Sequence, residues 1–116
     1  MVVDQSTDVE VDRLFHALAD ATRRDIVRRA IDGAQSVSAL ARRYPISLTA
    51  VQKHVSVLEE AGLVVKERHG REQRVVGQPD ALRRAQQLLD ELDQLWRGRV
   101  ARMGEVLDED SRGGTT

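Results

Sequence analysis

The chain has 116 residues, of which 41% are hydrophobic, 32% are charged and only 3% are aromatic. This length predicts one domain, and the shortage of aromatic residues favours a mainly helical protein over a β-sandwich. Without cysteine, disulfides, thiolate metal sites and cysteine nucleophiles are excluded. No apolar run is long enough to span a membrane and no signal-peptide pattern opens the chain, so we expect a cytoplasmic protein.

The net charge of −1 hides a segregation of charges along the chain. Residues 1–10 and residues 104–116 each carry a net charge of −3, which leaves residues 11–103 at +5. Such an asymmetry permits a nucleic-acid partner for the body of the chain, although scattered surface arginines would give the same total.

The first third of the chain predicts two helices. Residues 7–10 match a capping box with Thr7 as the N-cap, and Asp20 is the candidate N-cap of the second helix, which ends at Gly33. Apolar residues recur at helical spacing on one face of each helix. They are Val11, Leu14, Phe15 and Leu18 in the first, and Ile26, Val27, Ala30 and Ile31 in the second.

Residues 36–62 predict two short helices joined by a tight turn. Ser36 or Ser38 starts the third helix, and Pro45 marks the turn because proline cannot occupy a helix interior. Ser47 caps the fourth helix, and Gly62 ends it in a left-handed conformation. The fourth helix buries residues at helical spacing: Ala50, Val51, Val55 and Leu58.

A short hairpin follows, with strands over residues 64–68 and 73–76, and Pro79 then suits the first turn of a long final helix. The third and fourth helices alone would fit an ordinary helical hairpin. Because a β-hairpin comes next, the order predicts a winged helix-turn-helix, mainly α with a small β-hairpin, which commonly binds the major groove of DNA.

The outward face of the fourth helix and the hairpin carry the candidate DNA contacts. Gln52 can pair with adenine, and Lys53 can donate to guanine or to a phosphate. Basic side chains of the hairpin suit phosphates or the minor groove, although Glu67 and Glu72 dilute their charge. The predicted contacts are Ser47, Leu48, Thr49, Gln52, Lys53, Ser56, Arg68, Arg71 and Arg74. The alternative is a solvated polar surface, on which Ser47 is simply an N-cap.

The final helix is too long for a small winged helix to cover. Its apolar residues recur at steps of three and four, and such a stripe would not stay exposed on a monomer. We therefore favour a homodimer interface formed by Val11, Leu14, Phe15, Leu18, Leu89, Leu92, Trp96 and Met103. The alternatives are packing within one chain and a ligand pocket beside Trp96.

Two segments resemble the ArsR family of repressors. Residues 17–27, Ala-Leu-Ala-Asp-Ala-Thr-Arg-Arg-Asp-Ile-Val, are similar to the family's Ala-Leu-Ala-Asp-Pro-Thr-Arg-Arg-x-Ile-Leu opening, with Ala21 in place of proline. Residues 47–64 resemble its recognition helix and the step into its wing. The resemblance covers residues 11–107. It implies a homodimeric winged-helix transcriptional regulator, usually a repressor, with DNA contacts on the fourth helix and on the wing arginines. The operator of such a dimer should be an inverted repeat.

The family is best known for metal sensing, and this sequence departs from that pattern. The family's metal sites use cysteine pairs in the third helix, or Asp and His on the final helix. This chain has no cysteine, and its three histidines, His16, His54 and His69, fall in three other elements. A closed zinc site needs its ligands together. We expect the non-metal-sensing branch, with no metal or cofactor, His54 packed or hydrogen-bonded, and any small-molecule effector unidentified.

The predicted organisation is a disordered tail over residues 1–7, a winged-helix DNA-binding domain with dimerisation helices at both ends over residues 8–107, and a disordered tail over residues 108–116. The alternative function is a winged-helix module for protein–protein assembly without DNA binding. Salt-dependent DNA affinity distinguishes the two. An enzyme is not expected, because the sequence has no Gly-rich phosphate loop and no suitable Ser-His-acid arrangement.

Overall fold

The structure, a computed structural model, describes the backbone of residues 5–113 and the side chains of residues 8–105. Within this range the order of elements is that of a winged helix-turn-helix, which confirms the predicted fold. The elements are α1 (Gln5–Leu18), α2 (Ala21–Asp32), β1 (Gln35–Ser36), α3 (Val37–Ala41), α4 (Leu48–Glu60), β2 (Val64–His69), β3 (Glu72–Gly77) and α5 (Asp80–Gly113).

The chain divides into two compact units, one up to Ala85 and one from Gln86 onward. The first unit holds α1 to α4, the three strands and the first turns of α5. The second unit is the remainder of α5. None of the helices in the described part of the chain is long and apolar enough to cross a membrane.

The first unit has an aliphatic core to which most of its elements contribute. Val51, Val55 and Leu58 of α4 are all fully buried, as their helical spacing predicted, and Ala50 is half-buried. Full burial of such a side chain contributes about 1.5–3 kcal/mol to the stability of the fold. Ile31, also predicted to face inward, is 62% exposed, because it lines an open groove between the end of α2 and β3.

The strands form an antiparallel sheet in the order β1-β3-β2. β2 and β3 pair along their whole length, and Gly70 and Arg71 form the two-residue turn between them. Gly70 has a φ of 64°, a left-handed value that glycine adopts without steric cost. β1 was not predicted, and its two residues pair with β3 immediately before α3 begins.

The helix ends of the helix-turn-helix follow the predicted local signals. The side-chain oxygens of Asp20, Ser36 and Ser47 each accept the backbone N–H three residues on, at 2.9, 3.1 and 3.1 Å. Gly62 ends α4 with a φ of 77°, and its N–H donates to the carbonyl of Glu59. The next N–H, that of Leu63, donates to the carbonyl of Leu58, which completes a Schellman motif.

The two terminal helices are longer than predicted. α1 begins at Gln5, so Thr7 lies inside it and is not its N-cap. α5 begins at Asp80, one residue after Pro79, and continues to Gly113. The predicted tails over residues 1–7 and 108–116 therefore overlap α1 at residues 5–7 and α5 at residues 108–113, and the rest of each tail lies outside the described residues. A helix that has already formed extends through residues of ordinary propensity at a small cost in free energy. Such an extension needs no apolar pattern, so the sequence does not mark it.

Candidate nucleic-acid interface

α4 turns a largely polar face away from the core. Its buried residues recur at steps of four and three, so the residues between them point to the opposite side of the helix. The structure brings the predicted contact residues of this segment together on that side. Ser47, Leu48, Thr49, Gln52 and Lys53 are exposed and Ser56 is half-buried.

The three wing arginines do not share one face of the hairpin. Strand alternation places Arg68 on the side of the buried Val75, whereas Arg74 is on the other side, with its Nε 3.5 Å from a carboxylate oxygen of Glu72. Arg71 is exposed in the turn itself. Arg71 is therefore the wing arginine that lies on neither face of the two strands.

A contact that was not predicted joins the hairpin to the end of α4. The ammonium group of Lys66 lies 3.6 Å from a carboxylate oxygen of Glu59. Both side chains are partly exposed, so the pair contributes less than about 1 kcal/mol. The Lys66 ammonium is therefore paired within the protein, as is the guanidinium of Arg74.

Arg23 links three helices, a role that was not predicted from the sequence. Its guanidinium donates to the carbonyls of Ala17 at 2.8 Å and His16 at 2.9 Å, which belong to the last turn of α1. A helix end leaves such carbonyls without partners in the helix. A third nitrogen lies 3.3 Å from Nδ1 of His54 on α4. Because a guanidinium can only donate, this Nδ1 accepts, which places the proton of a neutral ring on Nε2.

The contacts around Arg23 include the predicted hydrogen bond of His54, and they account for part of the Ala-Thr-Arg-Arg motif. His54 is hydrogen-bonded, as expected, and its Nδ1 also lies 4.0 Å from the carboxylate of Asp20. Arg24 donates to the carbonyl of Leu18 at 2.7 Å. The two arginines therefore cap the end of α1, while Asp20 caps the start of α2.

A second polar cluster fixes the turn that precedes α4. The hydroxyl of Tyr44 donates to Oδ2 of Asp25 at 2.6 Å, and Nε of Arg29 donates to the same oxygen at 2.8 Å. The Tyr44 hydrogen bond, and then that of Arg29, hold the pKa of Asp25 below its ordinary value. Burial, and then the bond to Asp25, raise the pKa of Tyr44. The turn is therefore tied to α2 by a charge-assisted bond.

These carboxylates predict a loss of stability in acid. The pKa of Asp20 is also lowered, chiefly by the N–H of Arg23. A lowered pKa in the folded state contributes stability that is complete above the unfolded value of about 3.9 and is lost as the pH falls through the folded value. We expect the unfolding free energy to fall from about pH 5 toward pH 2.

Asp25→Asn should make the fall of the unfolding free energy in acid shallower, because it removes one group whose pKa is lowered on folding. Urea denaturation at stepped pH measures it, with Asp12→Asn as the control for removing one charge from an exposed position. An unchanged acid slope in Asp25→Asn would contradict the assignment.

The second unit carries an apolar stripe of exposed side chains, called the α5 stripe below. Its members repeat at helical spacing and are each more than half exposed: Leu89, Leu92, Leu95, Trp96, Val100 and Met103. Leu95 and Val100 were not predicted. The guanidinium carbon of Arg99 lies 6.0 Å from the centroid of the Trp96 ring, close enough for a weak cation–π contact.

The predicted interface residues of α1 are distributed differently. Phe15 is 38% exposed, and Val11 and Leu18 are half-buried. Leu14 is only 3% exposed and lies in the core of the first unit. Helical spacing identified the apolar face of α1 but could not tell which positions the chain covers itself. The side chain of Leu14 is unavailable to a partner in this conformation.

Among the described residues, no three His, Asp or Glu side chains lie close enough together to hold a metal ion. This observation does not test whether the protein works without a metal, which stays a prediction.

A family model described as a helix-turn-helix domain matches residues 18–67. The HTH-type transcriptional regulator Rv2034 of Mycobacterium tuberculosis is 35% identical over 105 residues, which cover 90% of this chain and 95% of that protein. Among solved structures, an ArsR-like transcriptional regulator from Rhodococcus sp. RHA1 has a TM-score of 0.77 at 33% identity, covering 87% of this chain and 95% of that one. The homodimeric winged helix-turn-helix DNA-binding domain of a Mycobacterium bovis protein has a TM-score of 0.62 at 25% identity, covering 81% and 90%.

The fold and these similarities define a winged helix-turn-helix transcriptional regulator. The chain belongs to the ArsR family of such regulators, as residues 17–27 and 47–64 predicted.

Proposed function

We propose that the protein is a homodimeric repressor that binds an inverted repeat in double-stranded DNA through α4 and the turn of the hairpin. The activity is binding and not catalysis. One observation carries the proposal: a firmly anchored helix leaves a largely polar face exposed, beside exposed basic side chains on the same chain.

The anchoring of α4 suits a helix that must meet base edges precisely. Its inner face is fully buried, His54 contacts Arg23 on one side, and the preceding turn is fixed through Tyr44. Contacts built on such a supported helix are more precise than contacts built on loops. In the proposed complex, Gln52 pairs with adenine, and Lys53 donates to guanine or to a phosphate.

The basic side chains around α4 supply affinity that does not depend on sequence. Arg71 in the hairpin turn, and Arg42 and Arg43 before α4, are all exposed. Residues 11–103 carry +5 in total. Arginine contacts to phosphates fix the register of a protein on the duplex. Arg68 and Arg74 lie on opposite faces of the hairpin, so we expect the turn to contribute more than either strand.

The proposed dimer rests on the α5 stripe. Six large apolar side chains exposed along one helix are unusual for a monomer. The Mycobacterium bovis relative, homodimeric by its description, supports the same assembly here. Two copies related by a twofold axis would present two α4 helices about 34 Å apart, one turn of DNA. Repression follows if such a dimer occupies promoter DNA.

Replacing the basic residues of the proposed interface should weaken binding and flatten its dependence on salt. Lys53→Ala and Arg71→Ala each remove one positive charge per protomer from that interface, so each should reduce the slope of log K against log salt by about two in the dimer. Fluorescence anisotropy on a promoter fragment at several salt concentrations measures this slope.

Arg83→Ala removes an exposed positive charge outside the proposed interface and serves as the control. It should keep the wild-type slope. Wild-type affinity in both Lys53→Ala and Arg71→Ala would overturn the site assignment. A protein without any salt-dependent DNA affinity would instead support the assembly-module alternative.

A further inference from the structure

An apolar side chain lies on the exposed face of α4 among polar neighbours. Leu48 is the first residue of the helix and is 48% exposed. Ile46, on the other side of the N-cap Ser47, is 37% exposed. A single exposed leucine is ordinary on a protein surface. What distinguishes Leu48 is its position in relation to Gln52.

Leu48 and Gln52 are four residues apart, so they are neighbours on the same face of α4. The helix rises about 6 Å over four residues, which is within two steps of a DNA base stack. A glutamine amide pairs with N6 and N7 of adenine, and the major-groove edge of thymine presents a C5-methyl group that suits apolar contact. The two side chains therefore match two features of A·T base pairs.

The surroundings of Leu48 favour DNA as the molecule that covers it. Lys53 on α4 and Arg42 and Arg43 before it are exposed and positively charged. These charges attract a polyanion and disfavour the apolar surface of an ordinary protein partner. An apolar group on a positively charged segment is complementary to a methyl group lying between two phosphate backbones.

Resting on the DNA-binding function proposed above, we infer that Leu48 reads the C5-methyl group of a thymine beside the adenine paired by Gln52. The operator half-site then contains A·T pairs under the first turns of α4.

Replacing thymine by deoxyuridine tests this inference, because deoxyuridine lacks only the methyl group. The operator is first selected from a random DNA pool, and each thymine of the half-site is then replaced in turn. The affinity of the wild-type protein for the duplex should fall by about fourfold for each methyl group removed under Leu48, because one methyl-sized group is then no longer buried. Leu48→Ala should bind both duplexes equally, and Leu48→Met should keep the preference.

Ile31→Ala removes another exposed apolar side chain, on α2, and should discriminate like wild type. A selected half-site without thymine, a wild type indifferent to the methyl group, or a Leu48→Ala that still discriminates would each overturn the inference while leaving the proposed function intact. If Leu48→Ala binds too weakly to measure, the wild-type comparison and Leu48→Met decide. Absence of any sequence preference would overturn both proposals.

Discussion

Leu92→Glu should convert the dimer to a monomer and weaken operator binding by about a hundredfold or more. Leu92 is 52% exposed in the single chain and lies in the middle of the α5 stripe. In the proposed dimer it is buried, and burying an unpaired carboxylate costs several kcal/mol. A monomer also loses the simultaneous use of two half-sites, which multiplies the loss of affinity. Sedimentation equilibrium and anisotropy on the operator measure the two effects.

Gln94→Glu is the matched control, because it adds the same charge to α5 two residues away, about 200° around the helix. It should remain dimeric and bind the operator as wild type does. A Leu92→Glu protein that stays dimeric would show that the α5 stripe is not the interface. A monomer with undiminished operator affinity would contradict the requirement for two copies.

Arg23→Ala should lower the unfolding free energy by about 2–3 kcal/mol, the second large effect we expect. The substitution removes the guanidinium that donates to the carbonyls of His16 and Ala17 and contacts His54. Hydrogen bonds from charged donors are worth about 1.5–3 kcal/mol each when buried, and the partial exposure of this cluster reduces the sum. Equilibrium denaturation in urea measures the change.

Arg28→Ala is the control for Arg23, since Arg28 is an exposed arginine on the same helix. It should change stability by less than about 0.5 kcal/mol. Arg23→Lys should recover only part of the loss, because one ammonium cannot reproduce the planar fork that serves two carbonyls and a ring nitrogen. Equal losses in Arg23→Ala and Arg28→Ala would contradict the linking role of Arg23.

Features set by short-range chemistry could be predicted from the sequence. The N-caps Asp20 and Ser47 and the left-handed Gly62 each depend on residues within about one turn, so their signals are local. The buried face of α4 follows from helical spacing alone, and with it the exposed position of Gln52 and Lys53. This is why the largely polar face of α4 was predicted correctly as an exposed surface.

Features that depend on distant residues could not be predicted in this way. Arg23 meets His54 across 31 positions, and Tyr44 meets Asp25 across 19, so no window of the sequence contains either contact. β1 is too short to show alternation. Leu14 and Phe15 share one apolar pattern, yet Leu14 is buried and Phe15 exposed. Only the packing of the neighbouring elements separates them.

The resemblance to the ArsR family identified residues 17–27 as a motif, which helical periodicity alone did not do. Residues 17–27 look like an ordinary helix end followed by a helix start, and the spacing of their charges predicts none of the three contacts of Arg23. The structure gives these arginines a physical role in capping α1 and linking it to α4. The motif therefore marks a set of structural contacts that support α4.

The most direct test of the central claim is the affinity and stoichiometry of the purified protein on an operator selected from a random DNA pool, measured beside a scrambled duplex. We predict two chains per duplex, an inverted repeat in the selected sequence, and binding to the operator about a thousandfold tighter than to the scrambled DNA. Equal affinity for the two duplexes, or one chain per operator, would contradict a homodimer that reads DNA through α4.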